Sequence, residues 1–148
     1  MISLKSLLES KERKSAGIFV IADDTKKVLL GLRAPRLQNG NEWGIPGGGM
    51  EPIDRSPEQT ARREFKEETR YNGQIQLYPA YISRENNSTY YNFVGVVPYE
   101  FKAIPDAETS RFQWIDIDDV PTISNLHWGI PSMLSDRKTM DIIDRIVG

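Results

Sequence analysis

The segment from residue 56 to residue 71 constrains the fold most, because it specifies both a helix and the chemistry of one helix face. Ser56 is a favourable N-cap residue, Pro57 suits the first helical position, and Gln59 completes a capping box. The residues that follow contain no helix breaker. We therefore expect a helix from about Pro57 to about Arg70.

Three glutamates of this predicted helix share one face. Glu64, Glu67 and Glu68 stand at positions i, i+3 and i+4, so their side chains project from the same side. Like charges four residues apart cost roughly 0.2–0.5 kcal/mol in an isolated helix. A hard divalent cation bound among the carboxylates would reverse that cost. The alternative is a solvated amphipathic helix, supported by the Arg63–Glu67 pair at i,i+4.

A run of glycines precedes the helix. Gly47–Gly49 follows the short apolar segment Trp43–Pro46. The run is either a flexible turn or a backbone that approaches a metal or a phosphate closely, as glycine permits.

The glycine run and the carboxylate helix together resemble the Nudix box. That family's pattern is Gly, five residues, Glu, seven residues, then Arg-Glu-apolar-x-Glu-Glu-x-Gly-apolar. This chain has Gly48, five residues, Asp54, eight residues, and then the segment Arg63–Tyr71. The lead-in Trp43–Gly48 also resembles the usual one. The strand order matches the family from about Gly17 to about Leu134.

The chain departs from the family pattern at three points. Asp54 stands where the family has its first glutamate, one additional residue precedes the helix, and Arg70 replaces the glycine that follows it. The first two departures put the role of Asp54 in doubt. The third predicts a reshaped helix exit.

The resemblance implies roles for the residues that match the box. Glu67 and Glu68 are the implied principal ligands of Mg²⁺ or Mn²⁺, with the Gly47 carbonyl as a backbone ligand. Glu64 is implied as a further ligand or as the base that deprotonates the attacking water. Arg63 pairs with a carboxylate and holds it in position.

Candidates outside the box are fewer. Glu108 stands six residues before Trp114, the spacing at which many relatives carry a further catalytic glutamate; a surface carboxylate is the alternative. Arg33 contacts substrate phosphate or is a solvated strand end. Trp43 lines a base or sugar pocket or packs in the core. His127, the single histidine, is interpreted as structural.

Elsewhere the pattern predicts an α+β fold. With the resemblance it implies a Nudix-type α/β/α sandwich with a mixed central sheet, in one domain over residues 1–148. The apolar residues near the start predict a short amphipathic helix at about residues 2–8. The remaining predicted elements are strands 16–22, 28–32, 75–83, 89–97 and 112–117 and a closing helix 133–147.

Composition restricts the class of function. The chain has 148 residues, a net charge of −2 and no cysteine. This argues against a general nucleic-acid binder, a disulfide scaffold and a thiolate metal site. No apolar run approaches the roughly 18 residues of a membrane span, and no signal-peptide core is present. We therefore predict a cytoplasmic protein without nucleic acid or membrane as a partner. The resemblance implies a small-molecule nucleotide as its substrate.

The predicted function is metal-dependent hydrolysis of a pyrophosphate bond. The substrate would be a nucleoside triphosphate or a nucleoside diphosphate joined to another group, such as a nucleotide sugar, ADP-ribose or a dinucleotide. ADP-ribose hydrolases often carry proline at the position where this chain has Glu85, and this difference argues against that substrate class. A Nudix-fold module that binds a nucleotide without cleaving it is the alternative. Many relatives are dimers, so monomer and homodimer both stay open.

Overall fold

The computed structural model describes residues 12–148. In chain order the strands and helices of that part are β1 Arg13–Ala22, β2 Lys27–Arg33, β3 Trp43–Gly44, β4 Gly47–Gly49, α1 Pro57–Thr69, β5 Gln76–Glu85, β6 Ser88–Val97, β7 Thr109–Asp116, the 3-10 helix Ile117–Thr122, α2 Gly129–Leu134 and α3 Arg137–Val147.

The seven strands of the described chain form one mixed sheet. Its main path runs β3-β2-β1-β6-β5, while β4 pairs with β1 and β7 pairs with β2. The β1–β6 pair is parallel, and the other pairs are antiparallel. The short β4 contains the three glycines and runs antiparallel to the first half of β1. The glycine run is therefore an ordered strand rather than a flexible turn.

Strand β1 is continuously apolar because helices cover both faces of the sheet. Phe19 and Ile21 point into one core layer, which includes Ile130 and Met133 of α2 and Ile143 of α3. The alternate β1 residues point into the opposite layer, which contains the α1 residues Ala61 and Phe65. This confirms the predicted α/β/α sandwich with a mixed central sheet.

Helix α1 begins as its sequence predicts. The Ser56 hydroxyl accepts a hydrogen bond from the Gln59 N–H at 3.1 Å. The Gln59 side chain accepts in turn from the backbone N–H of Arg55. The first bond satisfies a donor that the first turn of a helix leaves free, and the second ties the residue before the N-cap to that turn. They fix the start of α1, and hence which face carries the glutamates.

The end of α1 keeps the usual geometry although Arg70 replaces the family's glycine. Arg70 adopts the left-handed conformation, with φ 66° and ψ 12°, and its N–H donates to the Lys66 carbonyl at 2.9 Å. This is the conformation that glycine normally supplies at a helix end. The predicted reshaping of the exit is therefore wrong, because Arg70 itself takes up the strained conformation.

Arg70→Gly is expected to stabilise the protein by about 0.5–1 kcal/mol. The left-handed conformation costs a residue with a Cβ about 1–2 kcal/mol, and the greater unfolded-state freedom of glycine offsets part of the gain. The Arg70 side chain is exposed and forms no ion pair within residues 12–148, so little is lost with it. Thermal unfolding should show a rise of about 1–4 °C. Lys66→Gly, inside the same helix, is the matched control and should lower stability. A lower melting temperature for Arg70→Gly would contradict the strain argument.

Two sequence predictions need correction. The closing segment 133–147 is not one helix, because α2 ends at Leu134 and Asp136 begins α3 by accepting hydrogen bonds from the Thr139 N–H and hydroxyl. Strand β7 begins three residues before the predicted start at residue 112 and ends at Asp116, one residue before the predicted end. The predicted helix at residues 2–8 lies outside the described part. Between residues 12 and 148, no helix has the length and apolar character that crossing a membrane requires.

Candidate active site

The carboxylate face of α1 packs against the glycine strand β4. The Gly47 N–H donates to Glu68 Oε2 at 2.7 Å. A Cβ atom at Gly48 would lie 2.5 Å from the carboxyl carbon of Glu64. A larger residue at position 48 would therefore displace that carboxylate from the position in which Arg63 holds it by a hydrogen bond of 3.0 Å. The spacing between the glycine run and the glutamates places β4 against α1 at Glu64 and Glu68.

Arg63 organises the rest of the cluster. Its guanidinium donates to both oxygens of Asp54, from Nε at 3.0 Å and from Nη2 at 2.8 Å. It also donates to Glu64 at 3.0 Å and Glu67 at 3.2 Å, and to the Gly49 carbonyl at 3.0 Å. Arg63 thus holds two of the three helix glutamates and the strand that faces them.

Asp54 has a defined place in this arrangement. Its side chain is only 3% exposed, and besides Arg63 it accepts hydrogen bonds from the Thr60 hydroxyl and the Glu51 N–H, both at 2.9 Å. The hydrogen bonds from Arg63, then that from Glu51, hold the pKa of Asp54 well below its usual value. Asp54 is therefore the charged anchor of Arg63, and the additional loop residue does not remove it from the cluster.

Glu68 is the electrostatically unusual member of the cluster. Burial, followed by the negative charge of Glu64, raises the pKa of Glu68 to about 8. Burial also raises the pKa of Glu64, although its bond to Arg63 opposes the shift. Within residues 12–148 no lysine or arginine forms an ion pair with Glu68. A buried carboxylate among like charges requires either a proton or a cation.

The donor set fits a hard divalent cation, although the side chains do not converge on one point. Among the described residues, no three Asp, Glu, His or Cys side chains meet in the geometry of a metal site. Glu64 and Glu67 are turned toward Arg63, and Glu68 toward the Gly47 N–H. Carboxylate and backbone carbonyl oxygens are the ligands that Mg²⁺ and Mn²⁺ prefer. The buried, cation-free Glu68 is the group that such an ion would neutralise.

A cavity of about 490 Å³ opens beside Glu68. Its wall combines the glycine strand, the sheet and the loop before α2. The lining residues used below are Arg33, Glu42, Gly47, Glu68, Tyr90, His127 and Trp128. A cavity of this size is in the range of pockets that bind small molecules.

Tyr90 stands at the end of the cavity that contains the carboxylates. A Cβ atom on either Gly17 or Gly47 would overlap its hydroxyl, so two glycines make room for this side chain. Burial, then the charges of Glu68 and Glu64, raises the pKa of Tyr90. The phenol therefore keeps its proton and can act only as a neutral donor or acceptor there.

The candidates from outside the box take different places. Arg33 lines the cavity, with its Nε donating to the Gln38 carbonyl at 2.7 Å. Glu108 is exposed in the loop before β7, close enough for its charge to raise the pKa of Glu68. Trp43 is 8% exposed, belongs to a core cluster, and has the Arg111 guanidinium 5.3 Å from its ring centre. It is not among the residues that line the cavity.

Sequence reasoning missed Glu42, Tyr90 and Trp128 as cavity residues. Glu42 looks like an ordinary loop carboxylate, and Tyr90 is one of several aromatic residues in a strand. The alternation of β6 could have placed Tyr90 on a defined face. For Glu42 and Trp128 no local signal exists, because residues far apart in the chain bring them together.

Comparison with known proteins identifies the family. The sequence-family model for the NUDIX domain matches residues 11–136, which is most of the chain. The chain belongs to the Nudix family. It is 33% identical over 112 residues to "Putative hydrolase 111R" of Invertebrate iridescent virus 3, covering 72% of this chain and 60% of that protein. It is 28% identical over 120 residues to "Putative 8-oxo-dGTP diphosphatase 3" of Mycobacterium tuberculosis, covering 72% of this chain and 55% of that protein.

Solved Nudix structures share the fold. RenU, a Nudix hydrolase from M. smegmatis, superposes with a TM-score of 0.74 at 20% identity, over 93% of this chain and 88% of that one. A C. elegans Ap4A hydrolase superposes with a TM-score of 0.69 at 18% identity, over 90% and 98%. At these identities the likeness shows the fold alone, and it confirms the predicted Nudix architecture.

Proposed function

We propose that this Nudix chain is a Mg²⁺- or Mn²⁺-dependent hydrolase of a pyrophosphate bond in a small-molecule nucleotide. The observation that carries the proposal is the position of Glu68, buried without a cationic partner at the edge of a 490 Å³ cavity and bonded to the glycine strand. The relatives with sequence similarity bear hydrolase and diphosphatase names. The chain spans 60% and 55% of their lengths, so activity and substrate both belong to the proposal.

The proposed metal ligands are Glu67, Glu68 and the Gly47 carbonyl, with Glu64 as a further ligand or as the base. When bound, the ion neutralises the pyrophosphate and lowers the pKa of the attacking water. Each protein group has a separate task. Arg63 holds Glu64 and Glu67 in position through its bonds to both. Either Glu64, 18% exposed, or the exposed loop residue Glu108 accepts the water proton.

Arg33 is the proposed contact for substrate phosphate, since it places a permanent positive charge on the cavity wall. The role proposed from sequence for Trp43, lining a base or sugar pocket, has weaker support. Trp43 packs in the core and its backbone bonds to the Asn125 and His127 segment, so it supports the cavity wall from behind.

The deciding experiment is cleavage of a substrate panel with and without metal. The panel contains nucleoside triphosphates, dinucleoside polyphosphates, nucleotide sugars and ADP-ribose, each with Mg²⁺, with Mn²⁺ and with chelator. We expect at least one class to be cleaved, and chelator to reduce the rate by at least about a hundredfold, since a metal supplies several kcal/mol to such reactions. Mass spectrometry of the products would identify which bond of the substrate is cleaved. Cleavage that chelator leaves unchanged would contradict the metal assignment.

One observation favours the alternative, a module that binds a nucleotide without cleaving it. In the described chain the glutamates bond to Arg63 and Gly47 rather than converging. The same panel separates the two functions, because nucleotide binding without product formation in either metal would support the module. One domain over residues 1–148, a cytoplasmic location and the choice between monomer and homodimer stay predictions.

A further inference from the structure

We propose that Glu42 and His127, beside the exposed indole of Trp128, select the base of the nucleotide as a 6-aminopurine. This inference rests on the proposed function, since it assigns a second part of the same cavity to the base. All three residues line that cavity. The recognition would consist of a hydrogen bond from the amino group to Glu42, one from His127 to an adjacent ring nitrogen, and stacking on Trp128.

Glu42 supplies an acceptor that the protein leaves unused. Its Oε1 is buried and has no hydrogen-bond partner among the described residues. The backbone around it is fixed, because the Glu42 carbonyl accepts from the Arg33 N–H at 3.0 Å and the Trp43 N–H donates to the Asn125 carbonyl at 2.9 Å. A buried carboxylate oxygen without a donor costs free energy. An N–H group of a bound ligand would remove that cost.

The nearby cation does not satisfy Glu42. The Nε of Arg33 donates to the Gln38 carbonyl at 2.7 Å. The ion pairs within residues 12–148 do not include Glu42. Arg33 and Glu42 therefore share one cavity wall, bonded through their backbones but without an ion pair between their side chains. This leaves Arg33 for an anionic part of the ligand and Glu42 for a donor.

His127 supplies the complementary donor. Its Nδ1 accepts a hydrogen bond from the Gly129 N–H at 3.0 Å, so the ring proton lies on Nε2. Burial lowers the pKa of His127, and the negative charge of Glu42 opposes that shift. Both residues line the same cavity, and the backbone bonds of Trp43 to Asn125 and His127 bring their two segments together. A carboxylate acceptor beside an imidazole donor matches an amino group beside an unprotonated ring nitrogen. Adenine presents that pair at N6 with N1 and again at N6 with N7. Cytosine presents it once, at N4 with N3, on a smaller ring that offers less area for stacking on Trp128.

Trp128 supplies the stacking surface. Its side chain is 55% exposed although it is a large aromatic residue on a cavity wall. The His127 and Trp128 rings stack with centroids 5.4 Å apart and planes at 29°, which holds the indole in place. Planar bases stack on such exposed aromatic faces.

The test compares two ligands that differ only in the 6-amino group: adenosine 5′-monophosphate and purine ribonucleoside 5′-monophosphate. Titration calorimetry in chelator measures their Kd values for the whole chain. The wild-type protein should bind the amino-bearing ligand about tenfold tighter or more, as expected for a hydrogen bond to a charged group. In Glu42→Met this ratio should fall to about one. The control Glu85→Met, an exposed glutamate outside the cavity, should keep the wild-type ratio.

Stability separates recognition from a structural role. Glu42→Met removes a buried oxygen that has no partner, so its melting temperature should equal or exceed that of the wild type. Trp128→Leu should weaken both ligands about fivefold and leave their ratio unchanged. An unchanged ratio in Glu42→Met would overturn the inference, as would tighter wild-type binding of guanosine, cytidine or uridine monophosphate, or no binding of any monophosphate.

The titrations use neither a metal nor a cleavable pyrophosphate, so they are independent of the hydrolase assignment. Base selectivity that depends on Glu42, found together with an absence of cleavage, would contradict only the proposed function. Cleavage without such selectivity would contradict only the role of Glu42.

Discussion

Replacing Glu67 and Glu68 together by glutamine is expected to lower metal-dependent turnover by about a thousandfold or more while the protein stays folded. The two substitutions remove the charges that would hold the cation. The metal contributes several kcal/mol to the barrier, and each 1.36 kcal/mol corresponds to a factor of ten. Steady-state kinetics on the substrate found in the panel, over a range of Mg²⁺ concentrations, measures the loss.

The fold should survive the double substitution because neither charge stabilises it. Glu68 is buried beside the like charge of Glu64, and a neutral amide can still accept the Gly47 N–H bond. Glu67 is 59% exposed, and among residues 12–148 its side chain bonds only to Arg63, at 3.2 Å, an interaction of small net value at a surface. The melting temperature should therefore not fall. Unchanged turnover in this variant would contradict the metal assignment.

A matched control lies on the same helix. Glu58 is exposed, and in the described part of the chain its one ion pair is with Arg62, at 3.2 Å in an i,i+4 arrangement. Glu58→Gln removes one negative charge from α1 without touching the cavity, so turnover should stay within about twofold of the wild type. This separates loss of a ligand from a general change in the charge of the helix.

The sequence predicted those parts of the molecule that local patterns determine. The cap at Ser56 sets where α1 begins, and the spacing of Glu64, Glu67 and Glu68 sets which face they share. The continuous apolar run 16–22 predicted β1 as a strand, and the two core layers show that this strand is buried on both faces. These features need only the period of a helix or of a strand.

The remaining features depend on contacts between distant segments. The wall that joins Glu42 to His127 forms because Trp43 exchanges backbone bonds with residues 125 and 127, more than eighty positions later. Nothing in the loop sequence distinguishes Glu42 from a solvated glutamate. The break between α2 and α3 was readable in principle, since Asp136 is a favourable N-cap residue inside an otherwise helical pattern.

The family pattern was misleading at two positions, because it records residue types rather than contacts. Arg70 departs from the expected glycine, yet it takes the same backbone conformation. Asp54 departs in both type and spacing, yet its carboxylate binds Arg63 through two hydrogen bonds.

Asp54→Asn is therefore expected to lower kcat/KM by about 10- to 100-fold, the usual loss when a group that orients metal ligands is removed. The neutral amide cannot accept from Nε and Nη2 of Arg63 with both of its end atoms. Arg63 would then shift toward Glu64 and Glu67 and compete more strongly with the cation for them. The Mg²⁺ concentration for half-maximal rate should rise in parallel.

A double-mutant cycle with Arg63→Lys tests whether Asp54 acts through Arg63. Lysine keeps the charge but cannot make the two-point contact, so Arg63→Lys should cause a loss of similar size. The combined variant should lose little more than either single one, because both substitutions break the same contact. Multiplied losses would contradict the proposed coupling. Glu51→Gln is the control, since Glu51 is 60% exposed and lies 3.8 Å from the same guanidinium. Its rate should change by less than about twofold, because exposed ion pairs at that distance contribute little.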